Sequence, residues 1–182
     1  MDKLTALLIV DVQNGLFNIK DFPIHNEKLL IKNIQTLLRK AREAKIPVFY
    51  IQHNDPKGQR LENGTENWEI HSEIEPKDKD IIIQKKFPDS FLETLLDDEL
   101  KKHKIKRLVI TGLATDMCID TTVRSAFSHG YKVILIQDAH STMDSEILKA
   151  PQIIAHHNNI LQSFSEHANA DDFEFQIKKF HP

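Results

Sequence analysis

Short, nearly continuous apolar runs alternate along the chain with longer amphipathic stretches. Runs rich in β-branched residues are typical of strands buried on both faces of a parallel sheet, and the stretches between them then form the helices that cover it. Five runs fit this description well, and a sixth fits it less clearly. The predicted strands are residues 4–10, 46–51, 80–85, 106–111, 131–137 and, as the weaker sixth, 159–164.

Two of the intervening stretches carry clear helix signals. Over residues 29–41 the apolar positions recur with a helical period, and Asn26 stands where an N-cap belongs. Ser90 and Glu93 have the spacing of a capping box, ahead of leucines within residues 92–100. Each stretch is predicted to be a helix that covers one face of the sheet.

Two further helices and one long loop complete the pattern. Apolar residues at 119–127 predict a helix that ends near Gly130, because glycine suits the left-handed backbone after a helix C-terminus. Pro151 suits the first turn of another helix. Residues 52–79 are polar and long enough for a functional loop. The alternation predicts an α/β fold, three-layered and doubly wound, with a mainly parallel sheet of five to six strands.

The composition limits the classes of function. Lys and Arg number 24 against 27 Asp and Glu, for a net charge of −3, and the basic residues are scattered. This pattern disfavours nucleic acid as a partner. The length of 182 residues fits one domain over residues 1–182. The longest apolar runs fall far short of the roughly 20 residues that span a membrane, so no membrane partner is expected.

Cysteine usage and the first residues predict a compartment. One cysteine cannot form an internal disulfide, and the opening MDKLTALLIVDVQ lacks the basic and long apolar segments of a secretion signal. We therefore predict a cytoplasmic location.

Three reactive side chains stand at the ends of predicted strands. Asp11 follows the first strand, Lys85 ends the third, and Cys118, the only cysteine, lies just past the fourth. In a doubly wound sheet the carboxyl ends of the strands border the ligand-binding crevice. Strand alternation favours Lys85 over Lys86 only weakly, so the pattern alone leaves both lysines open.

These residue types can form an activated nucleophile. With Thr115 as the N-cap, Cys118 falls in the first helical turn, where unpaired N–H groups can bind an oxyanion. The helix N-terminus and a nearby ammonium group are expected to lower the pKa of the thiol. Asp11 could accept the thiol proton while Lys85 orients the aspartate, which gives a nucleophile, a base and an orienting group.

Each residue also has a simpler interpretation. A cysteine in such a helix is often a small buried hydrophobe, and a lysine at a strand end is often a solvated charge. Asp11, shortly before Asn14 and Gly15, could cap a turn. The placement of all three reactive residues at one crevice favours the active-site hypothesis.

Three segments together resemble the isochorismatase-like cysteine hydrolases, a family that includes nicotinamidases. They are LLIVDVQNGLF near the start, QKKFPDSFLETLL in the middle and VITGLATDMCIDTTVRSAFSHGYKVILIQDAHST towards the end. Their order and spacing match over nearly the whole chain. The resemblance implies a Rossmann-like fold of the isochorismatase type.

The resemblance also implies roles for individual residues. The catalytic aspartate, lysine and cysteine of the family match Asp11, Lys85 and Cys118, and the pattern K-x-x-P-D-[AS]-F selects Lys85. The pattern G-x-A-T-D-x-C implies a cis peptide bond between Leu113 and Ala114, with an oxyanion hole formed by the N–H groups of Ala114 and Cys118. The implied reaction is hydrolysis of a C–N bond in a small amide, through a thioester on Cys118 and without a cofactor.

The resemblance bears on metal binding as well. Nicotinamidases hold a metal through an Asp-x-His pair after the second strand and a later histidine. Gln52 stands in place of that aspartate here, so neither a metal nor nicotinamidase activity is expected. His53, Asp55 and His71 are the residues that could otherwise supply oxygen and nitrogen ligands. The residues predicted to line the substrate pocket are Leu16, Phe17, Gln52, His53, Trp68 and His71.

Two alternatives to an amidohydrolase stay open. One is a metabolite-binding or thiol-sensing module on the same fold, and the other is a vinyl-ether hydrolase of the isochorismate type. A sensor often has a second, resolving cysteine, which this chain lacks. The resemblance implies a small-molecule substrate and a homodimer or larger homo-oligomer. His140, near the end of the fifth strand, receives no role.

Overall fold

The computed structural model describes residues 4–175 of the chain, and a parallel sheet forms their centre. The strands are β1 (Thr5–Val10), β2 (Val48–His53), β3 (Ile81–Lys85), β4 (Arg107–Leu113), β5 (Lys132–Ser141) and β6 (Glu166–Ala168). Their order across the six-stranded sheet is β3-β2-β1-β4-β5-β6. Each neighbouring pair is parallel.

Helices cover both faces of the sheet. They are α1 (Asn14–Phe17), α2 (Glu27–Glu43), α3 (Leu96–Lys102), α4 (Asp120–Ser128) and α5 (Ala150–Ile160), with short 3₁₀ turns at Ser72–Ile74 and Leu161–Ser163. Successive residues of a strand point to opposite sides. Leu7 and Ile9 of β1 therefore pack in one core with α2, while Ala6 and Leu8 pack in a second core with α3 and α4.

The order of the strands locates a crevice. β1 lies between β2 and β4, and the winding of the chain reverses at this point. Doubly wound sheets bind ligands at such a switch point, outside the carboxyl ends of the strands. The predicted three-layer α/β fold with a parallel sheet is confirmed, and Asp11 lies directly past the end of β1.

The predicted capping box at Ser90 and Glu93 is wrong. α3 begins only at Leu96, with Leu95 in the N-cap position. Glu93 has a φ of 54°, a left-handed conformation that cannot continue a right-handed helix. Ser90 is buried, and its Oγ lies 2.7 Å from Oγ1 of Thr122 in α4. A tertiary contact therefore takes the place of the local cap.

Three further predictions need correction. Residues 159–163 are helical, and the sixth strand is Glu166–Ala168, because a short apolar run fits a helix and a strand equally well. Leu29 and Phe127, which belong to the apolar periods from which α2 and α4 were predicted, are about half exposed. Asn26 is the N-cap of α2 as predicted, but its side chain makes no capping hydrogen bond.

Two predicted helix boundaries are confirmed. α4 ends at Ser128, and Gly130 follows with a φ of 83°. Pro151 lies in the first turn of α5. Both agree with the positions that these two residue types favour at helix ends.

Two expectations from the sequence concern the whole chain. Residues 1–3 and 176–182 lie outside the described part, so one domain over residues 1–182 stays a prediction. Within residues 4–175, no helix has both the length and the apolar character needed to cross a membrane.

Gly112 lets β4 lie very close to β1. Its φ is 123°, and a Cβ at this position would lie 2.1 Å from the carbonyl oxygen of Val10. The pairing of β4 with β5 shifts in register at the same place, so that Gly112 lies opposite His140. The shift brings His140 beside the segment that leads from β4 to Cys118.

We expect Gly112→Ala to lower the free energy of unfolding by about 3 kcal/mol or more, because the added methyl meets backbone atoms and the φ is strained. Urea-induced unfolding followed by circular dichroism measures the loss. Gly130→Ala is the matched control, since Gly130 also has a positive φ but no atom lies within 4 Å of an added Cβ. Its loss should stay near 1 kcal/mol. Equal losses in the two variants would contradict the close approach of β4 to β1.

Candidate active site

The three reactive side chains predicted from the sequence meet at the carboxyl edge of the sheet. Asp11 follows β1, Lys85 ends β3, and Cys118 lies in a turn of π-helix, Thr115–Ile119, after β4. Lys85 Nζ is 2.7 Å from Asp11 Oδ2. A carboxylate oxygen of Asp11, Sγ of Cys118 and a ring nitrogen of His53 all lie within 4.8 Å of one another.

Lys85 is buried, whereas Lys86 is exposed, and this settles the choice that strand alternation left open. Its Nζ also donates to the carbonyl oxygens of Phe87, at 3.1 Å, and Pro88, at 3.3 Å. Burial lowers the pKa of this amine, but the negative charge beside it, chiefly that of Asp11, outweighs burial and raises the pKa overall. Lys85 therefore keeps its positive charge next to Asp11.

The predicted lowering of the thiol pKa is wrong. Burial raises the pKa of Cys118 to about 12, the charge of Asp11 adds to the effect, and the ammonium of Lys85 opposes it without cancelling it. The thiol of the resting protein is therefore protonated at neutral pH. A nucleophilic role for Cys118 would therefore require a neighbouring base to remove this proton.

The backbone ahead of Cys118 has the conformation that the family resemblance implies. The peptide bond between Leu113 and Ala114 is cis. Ala114, rather than the predicted Thr115, is the N-cap of the π-helical turn. The N–H of Ile119 donates to the carbonyl oxygen of Ala114 at 3.1 Å, which closes the turn around Cys118.

His140 of β5 supports the start of this turn. Its Nδ1 is 2.8 Å from Thr115 Oγ1, and its Nε2 is 2.8 Å from Asn158 Oδ1. Because Asn158 Nδ2 donates to the carbonyl oxygen of Gln137, the Asn158 Oδ1 accepts from the Nε2–H of His140. Nδ1 then accepts from the Thr115 hydroxyl. No local sequence pattern points to this role, because the register shift of β5 brings His140 to Thr115.

Loss of stability in acid is expected from His140. Burial lowers its pKa to about 4, and the nearby His167 and His157 act in the same direction. In the unfolded chain its pKa returns to about 6.5, so the unfolded state takes up the proton first as pH falls. The stabilisation is complete above about pH 6.5 and is lost towards pH 4, a change of about 3 kcal/mol.

Urea unfolding of the wild type and of His140→Gln at a series of pH values measures this contribution. The stability difference between the two proteins should shrink as pH falls through the window. Parallel stability curves over the whole window would contradict a neutral buried His140.

Gln13, which the sequence analysis missed, fastens the long loop to the end of β1. It is fully buried, and its Nε2 donates to the carbonyl oxygens of His53, at 3.0 Å, and Trp68, at 2.8 Å. Its Oε1 accepts from the backbone N–H of His53 at 2.8 Å. Gln52 Nε2 donates to the same Trp68 carbonyl at 3.0 Å. Gln52 was predicted to line the pocket, but its side-chain amide instead holds the loop in place through this hydrogen bond.

The other predicted pocket residues make different contacts. His53 joins Asp11 and Cys118, and the indole of Trp68 donates to Asn54 Oδ1 at 2.5 Å on the same loop. The ring of His71 contacts that of Phe17 in a tilted arrangement, with centroids 4.6 Å apart and an interplanar angle of 56°. Leu16 packs against the core cluster that includes β1 and α2.

The residues considered as an alternative metal set do not assemble. His53 Nε2 is 3.3 Å from Asp55 Oδ1, but Nδ1 of His71 accepts from the backbone N–H of Glu73. Within residues 4–175, the one group of three potential ligands combines His53 with Asp11 and Cys118. Any ion bound by this group would therefore contact the Cys118 thiol.

Comparison with known proteins places this geometry in a family. Residues 5–153 match the family model for the isochorismatase domain. The isochorismatase family protein YddQ of Bacillus subtilis is 37% identical over 145 residues, which are 79% of this chain and 81% of YddQ. Nicotinamidase 3 of Arabidopsis thaliana is 29% identical over 162 residues, covering 81% of this chain and 78% of that protein.

Comparison of the fold with solved structures also points to the isochorismatase family. The crystal structure of an isochorismatase family protein superposes with a TM-score of 0.87 at 27% identity, covering 93% of this chain and 99% of that chain. The agreement extends over most of the length of both proteins. The chain therefore belongs to the isochorismatase family.

Proposed function

We propose that the protein hydrolyses a C–N bond of a small amide through a thioester on Cys118. The observation that carries the proposal is the placement of the Asp11 carboxylate between an ammonium group and a thiol. Its Oδ2 is 2.7 Å from Lys85 Nζ, and a carboxylate oxygen lies within 4.8 Å of Cys118 Sγ. Nucleophile, base and orienting cation stand in the order that covalent catalysis requires.

Acylation begins with the neutral thiol. Asp11 accepts the proton of Cys118 as Sγ attacks the carbonyl carbon, so that charge develops only as the C–S bond forms. Asp11 Oδ1 has no hydrogen-bond partner among the described residues, and it is therefore free to accept this proton. The backbone N–H groups of Ala114 and Cys118 donate to the oxyanion of the tetrahedral intermediate.

Collapse of this intermediate breaks the C–N bond. The protonated Asp11 returns its proton to the leaving nitrogen, which departs as an amine or ammonia. Asp11 then removes a proton from water, the hydroxide attacks the thioester, and Cys118 leaves as a thiol while the acid is released. Lys85 holds the Asp11 carboxylate in place through both halves, and no cofactor is consumed.

The substrate we propose is a small amide other than nicotinamide. The relative from Arabidopsis is a nicotinamidase by name, but Gln52 stands where nicotinamidases have an aspartate. The amide of Gln52 is moreover tied to the carbonyl of Trp68. His53, at the end of β2, and Trp68 of the long loop, both held by Gln13, are the residues we propose for substrate contact.

A thiol sensor is the weaker explanation. Sensor cysteines are exposed and have a lowered pKa, because the thiolate is the species that oxidants attack. Burial instead raises the pKa of Cys118 to about 12. A sensor also needs no general base, whereas Asp11 stands beside the thiol.

The test is intact-protein mass spectrometry combined with detection of ammonia. Wild type and Cys118→Ser are incubated with primary amides, ureido compounds and nicotinamide. We expect an acyl adduct on the wild type with the substrate that releases ammonia, and neither product with Cys118→Ser. Ammonia release that survives Cys118→Ser would refute the thioester. Non-covalent retention of a compound, with neither an acyl adduct nor release of amine or ammonia, would support a binding function instead.

A further inference from the structure

Two buried polar atoms of the site lack a hydrogen-bond partner among residues 4–175. They are Oδ1 of Asp11 and Nδ1 of His53. A buried polar atom without a partner is destabilising, so such atoms call for a ligand or another explanation. Both residues belong to the group that includes Cys118 Sγ, with ligand atoms within 4.8 Å of one another.

The two atoms without a partner, Asp11 Oδ1 and His53 Nδ1, can each bind a cation. Lys85 Nζ pairs with Asp11 Oδ2 at 2.7 Å, which leaves Oδ1 as the carboxylate oxygen that is free to bind a cation. His53 Nε2 is 3.3 Å from the Asp55 carboxylate. With the ring proton on Nε2, the nitrogen next to that carboxylate, Nδ1 carries a free lone pair. A carboxylate behind a histidine is the usual support of a metal-bound imidazole.

We propose that Asp11 Oδ1, His53 Nδ1 and Cys118 Sγ form a site for Zn²⁺ or a similar borderline-soft divalent cation. One nitrogen, one oxygen and one sulfur suit zinc and fit neither Ca²⁺ nor Mg²⁺, which require oxygen ligands. Three protein ligands leave a fourth, tetrahedral position for water. Ligand atoms around zinc are about 3.5 Å apart, so small side-chain movements close the site.

The charges and protons of this site balance. Binding breaks the S–H bond of Cys118, forms an S–Zn bond and releases one proton to solvent. The thiolate and the Asp11 carboxylate then neutralise the ion, and His53 stays neutral. Lys85 remains paired with Oδ2 and with two backbone carbonyls. Its charge opposes the ion, so affinity should be below that of a four-ligand structural zinc site.

The consequence of occupancy is inhibition. The ion takes up both the nucleophile and the base of the proposed hydrolase, so it acts as a reversible blocker and not as a cofactor. This consequence rests on the proposed function. Binding of the ion does not rest on it, because it is measured without substrate.

Cobalt titration of the reduced, substrate-free protein tests the site directly. Thiolate bound to Co²⁺ gives a sulfur-to-metal charge-transfer band in the near ultraviolet, and Cys118 is the only cysteine of the chain. We expect one Co²⁺ per chain with this band, and displacement of the band by Zn²⁺. Cys118→Ser should abolish the band.

Variants of His53 and of Asp55, the carboxylate behind it, distinguish binding at this site from binding of the ion at the protein surface. His53→Gln should weaken Co²⁺ and Zn²⁺ binding at least about tenfold, and Asp55→Asn, which removes the carboxylate behind the ring, about 10- to 100-fold. His156→Asn, on the exposed face of α5, is the matched control and should leave affinity unchanged. Thermal melts confirm that each variant is folded.

Two results would overturn the inference. One is the absence of a charge-transfer band at saturating Co²⁺, and the other is a band of unchanged affinity in both His53→Gln and Asp55→Asn. Once a substrate is known, Zn²⁺ should inhibit with the affinity found by titration, and a chelator should restore activity. A protein that binds the ion but hydrolyses no amide would retain the site and refute only the proposed function.

Discussion

Asp11→Asn is expected to lower kcat by about 10⁴-fold, although it leaves the nucleophile in place. The reason lies in the protonated state of the nucleophile. Burial raises the pKa of Cys118 to about 12, so almost no thiolate exists at neutral pH without a base. The amide of asparagine cannot accept the proton, and both halves of the reaction lose their proton carrier.

The substitution is suited to the backbone of this position. Asp11 has a φ of 51°, and asparagine is among the few residues that adopt this left-handed conformation readily. Its amide oxygen can still accept from Lys85 Nζ. Circular dichroism and single-turnover kinetics on the substrate found in the adduct screen measure fold and rate separately.

Asp120→Asn provides the matched control. It makes the same chemical change near Cys118, but its carboxylate faces Arg124, with an oxygen 2.9 Å from a guanidinium nitrogen. We expect activity close to that of the wild type. An Asp11→Asn enzyme as active as Asp120→Asn would rule out Asp11 as the proton acceptor.

The sequence was sufficient to predict which residues meet at the site. The rule that parallel strands end at one edge brings together Asp11, Cys118 and a lysine at position 85 or 86 without any knowledge of side-chain packing, and the family pattern then selects Lys85. The helices that strong periodicity marks, such as α2, were also predictable. These features depend on local residue patterns and on the order of strands and helices along the chain, and both can be read from the sequence.

Features that depend on tertiary packing were not predictable. The lowered thiol pKa was inferred from a helix N-terminus and a cation, but the burial of Cys118 outweighs both. The capping box failed because Ser90 binds Thr122 of another helix. Gln13 and His140 act through backbone and side-chain partners distant in sequence, so no local spacing points to them.

Lys85→Met is expected to lower the free energy of unfolding by about 3–5 kcal/mol, because it leaves the Asp11 carboxylate buried without its counter-ion. The side chains of Lys85 and Asp11 are 0% and 3% exposed. Since the pKa of Lys85 is raised, its stabilising charge is present below the ordinary lysine pKa of about 10.4 and is lost as pH rises above the raised value. Urea unfolding at neutral pH measures the loss.

Two companion variants separate the charge from the packing. Lys86→Met changes the exposed neighbour of Lys85, so it should alter stability little. Asp11→Asn with Lys85→Met removes both charges and should be more stable than Lys85→Met, with a coupling energy of about 0.5–3 kcal/mol. A double variant no more stable than Lys85→Met would assign the loss to packing around the lysine. A single variant as stable as Lys86→Met would contradict a buried ion pair, and the orienting role of Lys85 would then have no structural basis.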